Sequence, residues 1–279
     1  MNTSSMVVRS PAVAGLFYPA DAQQLAETID QLLAGAEKYA YQPKALIVPH
    51  AGYVYSGTVA AVAYAGLRAT AHTIERVVLL GPAHRVAIAG MALPIAKFFE
   101  TPLGRVSVDQ ELVAALAHLP QVLVSADAHL EEHALEVQLP FLQKILGDFT
   151  VLPLVVGDVS AAAVTQMLEQ VWGGAETLIV ISSDLSHYLP YATAQQTDQA
   201  TVQQILQLCQ PLAYEQACGS VPINGLLLAA QKYQLTPHLL DLRNSGDTAG
   251  SHDQVVGYAA IAFNEKTGGA HEHEFNGTM

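Results

Sequence analysis

Short apolar runs alternate along this chain with stretches whose apolar positions recur every three to four residues, the signature of strands exchanging with amphipathic helices. Residues 1–20 read as an extended leader, too apolar for a solvated tail and too interrupted by Pro11 and Pro19 for a helix. Asp21 is placed to cap a helix running to about Ala36, with Leu25, Ile29, Leu32 and Leu33 on one face. Strands are expected at 44–48 and 76–80, joined by a small-residue helix from Gly57 to Leu67, which makes a βαβ unit. Region 86–108 reads as short strands around the turn at 100–104. A helix from Asp109 to His118 follows, then a longer one over about 131–146 that Pro140 would kink. Strand 149–156, helix 160–172, strand 177–182, helices 192–208 and 222–233 and closing strands near 237–242 and 254–263 complete an α/β alternation. Past Phe263 the composition turns polar. The pattern therefore predicts one domain over 1–264 and a disordered tail over 265–279.

Three of the apolar runs deliver a histidine just beyond their ends: 45–48 leads to His50, 77–82 to His84, and 178–182 to His187. If these runs are neighbouring parallel strands, the three imidazoles share the rim where α/β sheets bind ligands. A lone histidine in such a place is usually a backbone-bonded cap, but repetition of the placement favours a site. Imidazoles suit iron, copper and zinc, and a catalytic metal site needs two or three of them with a position left open.

The chain has 279 residues, 51% of them hydrophobic, enough to bury a large core. Twelve Lys and Arg against twenty-five Asp and Glu give a formal charge of −13, which disfavours nucleic acid and anionic membrane surfaces as partners. No apolar run approaches bilayer length and no signal-peptide pattern opens the chain, so a cytoplasmic address is expected. Cys209 and Cys218 form no metal or disulfide motif and are read as reduced and structural.

Around the first histidine, Pro49-His50-Ala51-Gly52-Tyr53-Val54-Tyr55-Ser56-Gly57 sets Tyr53 and Tyr55 beside it and offers Ser56 as a helix cap. Arg85, next to His84, faces either solvent or a substrate carboxylate. In Ser182-Ser183-Asp184-Leu185-Ser186-His187-Tyr188, one helical turn would put Asp184 behind His187, suiting a base or a ligand. The serines evoke a hydrolase triad, but the Gly-x-Ser-x-Gly elbow is missing. His129-Leu130-Glu131-Glu132-His133 fits the H-x-x-E-H pattern of a zinc peptidase, against the plainer reading of a polar helix start. In the polar loop 243–252, Asp247 either completes a two-histidine, one-carboxylate set or bonds its own backbone.

Taken together, the blocks Pro49–Gly57, Gly81–His84, Glu132–Pro140, Ser182–His187 and Gly257–Ala260 resemble the MEMO family, the B component of the AmmeMemoRadiSam set, over roughly residues 7–263. That family is similar to class III extradiol ring-cleavage dioxygenases. The resemblance implies a three-layer α/β/α fold around a central mixed, mostly parallel sheet. It implies a divalent metal, Fe(II) in the dioxygenases with copper or zinc as alternatives, held by His50 and His84, with His187 as acid/base. It also implies radical SAM and AMMECR1-like proteins as partners, and it absorbs the Glu132-His133 pair into the family's own pattern. In animal members a cysteine of the last loop is the third ligand. Here the alignment puts Thr248 there, a poor ligand, so either neighbouring Asp247 takes over as the carboxylate or the site holds metal weakly with water in the gap.

Two functions follow as expectations. One is a dioxygenase-like oxidoreductase acting on a small molecule, with His187 and Asp184 handling protons and Tyr53, Tyr55, His133, Tyr188 and Thr248 contacting substrate. The other is a non-catalytic module that binds a peptide or metal in the same pocket. A zinc peptidase using His129 and His133 is the third reading.

Overall fold

The computed structural model describes residues 7–37, 39 and 42–265, so the expected tail lies almost wholly outside the described residues. In chain order the first elements are β1 (Val8–Arg9), α1 (Ala22–Gly35), β2 (Pro43–Val48), α2 (Tyr53–Ala65), β3 (Arg76–Pro82), β4 (Met91–Leu93), β5 (Phe98–Thr101) and β6 (Gly104–Val108). Next come α3 (Gln110–Leu116), β7 (Val122–Val124), α4 (Asp127–Leu130), α5 (His133–Glu136), α6 (Leu139–Leu146), β8 (Thr150–Val156), α7 (Ala161–Gln170) and β9 (Thr177–Ser182). The chain closes with β10 (His187–Leu189), α8 (Tyr191–Leu206), α9 (Ser220–Lys232), β11 (Thr236–Asn244) and β12 (Val255–Asn264).

Among the described residues, twelve strands form one mixed sheet whose main path is β1-β5-β6-β8-β3-β9-β2-β12-β10, with β11 on β12 and β4 on β8. Its centre, β6 through β2, is parallel, while β12 closes antiparallel on β2. Alternate residues of the central strands serve opposite faces. Leu46, Val48, Val77, Leu79 and Val180 pack with α1, α2 and α6 residues such as Ile29, Val59 and Phe141, whereas Ala45, Ile47, Val78, Leu80 and Ile181 pack with Val164, Val202 and Ile223 of α7, α8 and α9. Burial on both faces is why these strands read as unbroken apolar runs. The expected α/β class with a mostly parallel sheet and flanking helices is observed.

The order β3-β9-β2 satisfies the condition set by the sequence: the strands preceding His84, His187 and His50 are parallel neighbours. Other expectations shift. The helix foreseen over 131–146 is α5 and α6, preceded by the separate turn α4, and Pro140 opens α6 rather than kinking it. Proline is favoured there because the first turn's N–H groups have no intrahelical acceptor. Helix α2 begins at Tyr53, and its cap position is Gly52. Ser56 instead bonds the Ala51 carbonyl from inside the helix. The leader is pinned as expected of a non-helical segment: Glu136 of α5, fully buried, accepts from Arg9, from the amides of Ala12 and Val13, and from the Tyr18 hydroxyl.

Candidate metal centre

The loop after β2 carries His50, 2% exposed, into the cleft at the C-terminal ends of the parallel strands. Its amide donates to Asp184 Oδ1 at 2.7 Å, and its Nδ1 lies 3.0 Å from Ser182 Oγ at the end of β9. His84 occupies the equivalent place after β3. Its amide donates to Glu132 Oε2 at 2.7 Å and its Nδ1 sits 2.9 Å from Glu132 Oε1. A carboxylate only accepts, so His84 carries its proton on Nδ1 and keeps a lone pair on Nε2. The same Glu132 caps α5 by accepting from the Ala134 amide at 2.9 Å.

Capping by Glu132 sets where α5 begins, and its first residue, His133, turns into the cleft. Gly81 of β3 permits the approach, since a Cβ there would meet Leu135 Cδ2 at 2.9 Å and Ala134 Cβ at 3.1 Å. The His133 ring stacks on His84, centroids 4.8 Å apart, stands edge-on to His50 at 5.4 Å, and is backed by Phe17 of the leader at 4.7 Å. One ligand nitrogen from each of His50, His84 and His133 lies within 4.8 Å of the others, so the three can hold a metal ion. His133 Nδ1 is buried without a hydrogen-bond partner, 3.5 Å from Glu132 Oε1.

Burial, reinforced by the neighbouring histidines, depresses His50 to about 3 and His133 to about 4, so both imidazoles are neutral near pH 7 and free to donate electron pairs. Burial alone would raise Glu132, but the His84 ring, the Ala134 amide and the His84 amide hold it down to about 2. Asp184 moves the other way: burial raises its carboxyl despite the His50 amide and nearby imidazoles. The centre thus has one firmly ionised carboxylate behind His84 and, beside His50, one carboxyl that burial shifts upward.

His187 opens β10 and lines the same cleft. Its Nδ1 donates to the Leu185 carbonyl at 2.8 Å, leaving Nε2 with a lone pair. Asp184 does not stand behind it as a helical turn would require. Residues 183–186 are not helical, and the Asp184 carboxyl turns to His50, with Oδ2 4.0 Å from His50 Nε2. Tyr188 holds a left-handed backbone, φ 56°, and is 68% exposed at the rim. An unfavoured conformation in a bulky residue is kept where surrounding structure imposes it. Here that structure is the irregular pairing of β10 with β12 between His187 and Leu189.

The cleft encloses about 720 Å³, and Tyr55, His133, Asp184, His187 and Tyr188 line it. Three expected residues lie elsewhere. Tyr53, 7% exposed, packs on Phe141 and donates to the Val137 carbonyl at 2.7 Å, because the first turn of α2 points it into the core. Asp247 is spent on structure: Oδ2 accepts the Asn244 amide at 2.8 Å in a capping box, and Oδ1 takes the Tyr191 hydroxyl. Thr248 Oγ1 bonds the Ser245 carbonyl at 3.2 Å within the same turn. The third histidine therefore stands where a carboxylate was expected.

The H-x-x-E-H reading fails on geometry. His129 and His133 sit on different helices, and His129 is buried against Phe99 with Nε2 donating to the Ala92 carbonyl at 2.9 Å. Sequence reasoning also missed Cys218. Its Sγ lies 3.3 Å from His50 Nε2, with burial raising the thiol to about 12, and no residue spacing links it to the strand-end histidines.

Comparison with known proteins agrees with this architecture. A protein of Aquifex aeolicus described as a MEMO1 family protein is 39% identical over 274 residues, covering 92% of this chain and all of its own. A MEMO1 family protein of Methanosarcina barkeri is 37% identical over 91% of this chain and 99% of its own. Among solved structures, an uncharacterized protein of Escherichia coli K12 shares the fold at a TM-score of 0.50 and 14% identity, over 78% of this chain and 98% of its own. The family model described as Memo-like protein matches residues 9–262, and with relatives of this identity along nearly its whole length the chain belongs to the MEMO family.

Proposed function

We propose that this protein is a metal-dependent, dioxygenase-like oxidoreductase that holds Fe(II) at His50, His84 and His133 and acts on a small molecule in the 720 Å³ cleft. The observation that carries the reading is the convergence of three imidazole nitrogens within 4.8 Å, two of the rings held neutral by burial and the third oriented by Glu132. Three protein ligands leave coordination positions open, the arrangement of a catalytic rather than a structural site. When bound, an iron ion supplies a Lewis acid and a one-electron redox centre.

The chain's own residues account for the rest. Tyr55 and Tyr188 offer the cleft flat apolar area with a hydroxyl at each edge. His187, its Nδ1 proton committed to Leu185, has Nε2 to take a proton from a substrate and return it. Asp184, whose carboxyl burial raises above the ordinary range, lines the same cleft and holds the His50 backbone by accepting its amide.

Anaerobic loading with Fe(II), followed by metal analysis, tests the centre. Stoichiometric iron that is lost in His50→Ala, His84→Ala and His133→Ala, with O₂ uptake on adding catechols or other chelating small molecules, supports the reading. Iron content unchanged by all three substitutions overturns it. The exposed rim tyrosine Tyr188 favours one second reading, a module that docks a peptide without turnover. That reading requires tight peptide binding by the metal-free protein.

A further inference from the structure

His50 can serve a metal only if its lone pair is on Nε2, and its Nδ1 meets the Ser182 hydroxyl rather than a carboxylate such as the Glu132 that meets Nδ1 of His84. Resting on the metal-binding reading, we infer that Ser182, clamped by Gln138, is a positioning residue that locks His50 in the Nδ1–H tautomer.

Counting donors along the buried chain settles where each proton sits. The Pro49 carbonyl only accepts, so the Gln138 atom 2.9 Å from it is the amide nitrogen, whose second hydrogen goes to Ser182 Oγ at 2.8 Å. The amide oxygen of Gln138 accepts the Tyr64 hydroxyl at 2.7 Å, which fixes the amide from its far side. Ser182 has one proton, and the Ala134 carbonyl, 2.6 Å away, can only accept it. Turning that proton toward His50 would leave two oxygen lone pairs facing each other across 2.6 Å in a dry site. Ser182 Oγ therefore accepts at 3.0 Å from His50, and the His50 proton is on Nδ1.

Every group in this relay is nearly inaccessible: Ser182 and Tyr64 at 0%, Gln138 at 1% and His50 at 2%. Water cannot substitute for a missing partner. The residues come from three elements and the link before a fourth, with α2 supplying Tyr64, Gln138 preceding α6, β9 ending in Ser182, and the Ala134 carbonyl coming from α5. The turn that bears His133 thus accepts the proton that sets the tautomer of His50, so two of the three candidate ligands are tied together.

The test reads the tautomer directly in metal-free, ¹⁵N-labelled protein by two-bond ¹H–¹⁵N correlation, with His50→Gln identifying the His50 signals among the chain's 11 histidines. Native His50 should show a protonated Nδ1 and a bare Nε2. Ser182→Ala should shift the population toward Nε2–H and weaken zinc binding by roughly 10–100-fold, the range for loss of a partner behind a ligand. Ser182→Thr, which keeps the hydroxyl, should restore both. Should Ser182→Ala fail to fold, Ser182→Cys, similar in shape but a weak acceptor, takes its place. A native Nε2–H tautomer, or a variant unchanged in both tautomer and zinc affinity, overturns the inference. Native protein that shows the expected tautomer yet binds no zinc would overturn the metal reading and leave the positioning role standing.

Discussion

Glu132 grips His84 at both ends, accepting its backbone amide at 2.7 Å on one oxygen and its Nδ1 at 2.9 Å on the other. With the Ala134 amide also donating to it, the carboxylate meets three donors and no acceptor. Glu132→Gln would turn an amide NH₂ onto a donor whichever way it flips, so ring orientation should suffer without any change in size. The expected outcome is a 10–100-fold loss of zinc or Fe(II) affinity by calorimetry with the fold retained. Unchanged affinity would show that Glu132 only caps α5.

Glu136 does comparable work for the leader. Its buried carboxylate satisfies Arg9, two leader amides and the Tyr18 hydroxyl, and the segment so anchored carries Phe17 onto His133. Glu136→Ala strands the buried Arg9 charge and should cost about 3–5 kcal/mol, measured by urea denaturation. A cost under about 1 kcal/mol, the range of an exposed ion pair, would contradict this picture.

Asp247 and His133 separate what the chain order suggests from what the fold does. Asp247→Ala should leave bound metal unchanged and cost about 1 kcal/mol through the lost capping box. His133→Ala should abolish stoichiometric metal. Metal lost from Asp247→Ala and retained in His133→Ala would return the third ligand to the last loop.

Acid should destabilise the protein earlier than carboxylate protonation alone would. Burial lowers His50 to about 3 and His129 and His133 to about 4, from an ordinary 6.5. Below about pH 6.5 the unfolded chain binds protons that the folded one refuses, so stability falls as pH drops, with the loss continuing to about pH 3. The urea midpoint should therefore be lower at pH 5 than at pH 7, and His129→Gln should narrow the difference. Equal midpoints for the native protein at both pH values would refute the claim.

Much of the fold was legible because parallel strands buried on both faces are short apolar runs, and runs ending in His50, His84 and His187 are visible without coordinates. The MEMO resemblance, likewise read from residues 49–57, 81–84, 132–140, 182–187 and 257–260, matches the family found by comparison. Helix ends and caps were less legible, since Gly52, not Ser56, occupies the cap of α2 and the 131–146 pattern hides a break between α5 and α6.

The sequence by itself determined the alternation of strands and helices, the family and two of the three clustered histidines, because period and position relative to a strand are local properties. Only the tertiary structure decided the third. His133 joins His50 and His84 because Glu132 caps α5 against a strand that begins more than fifty residues earlier and Gly81 lets that turn close in, while Asp247 is consumed by its own loop. Hydrogen bonds between distant segments direct those side chains, and spacing along the chain carries no record of them.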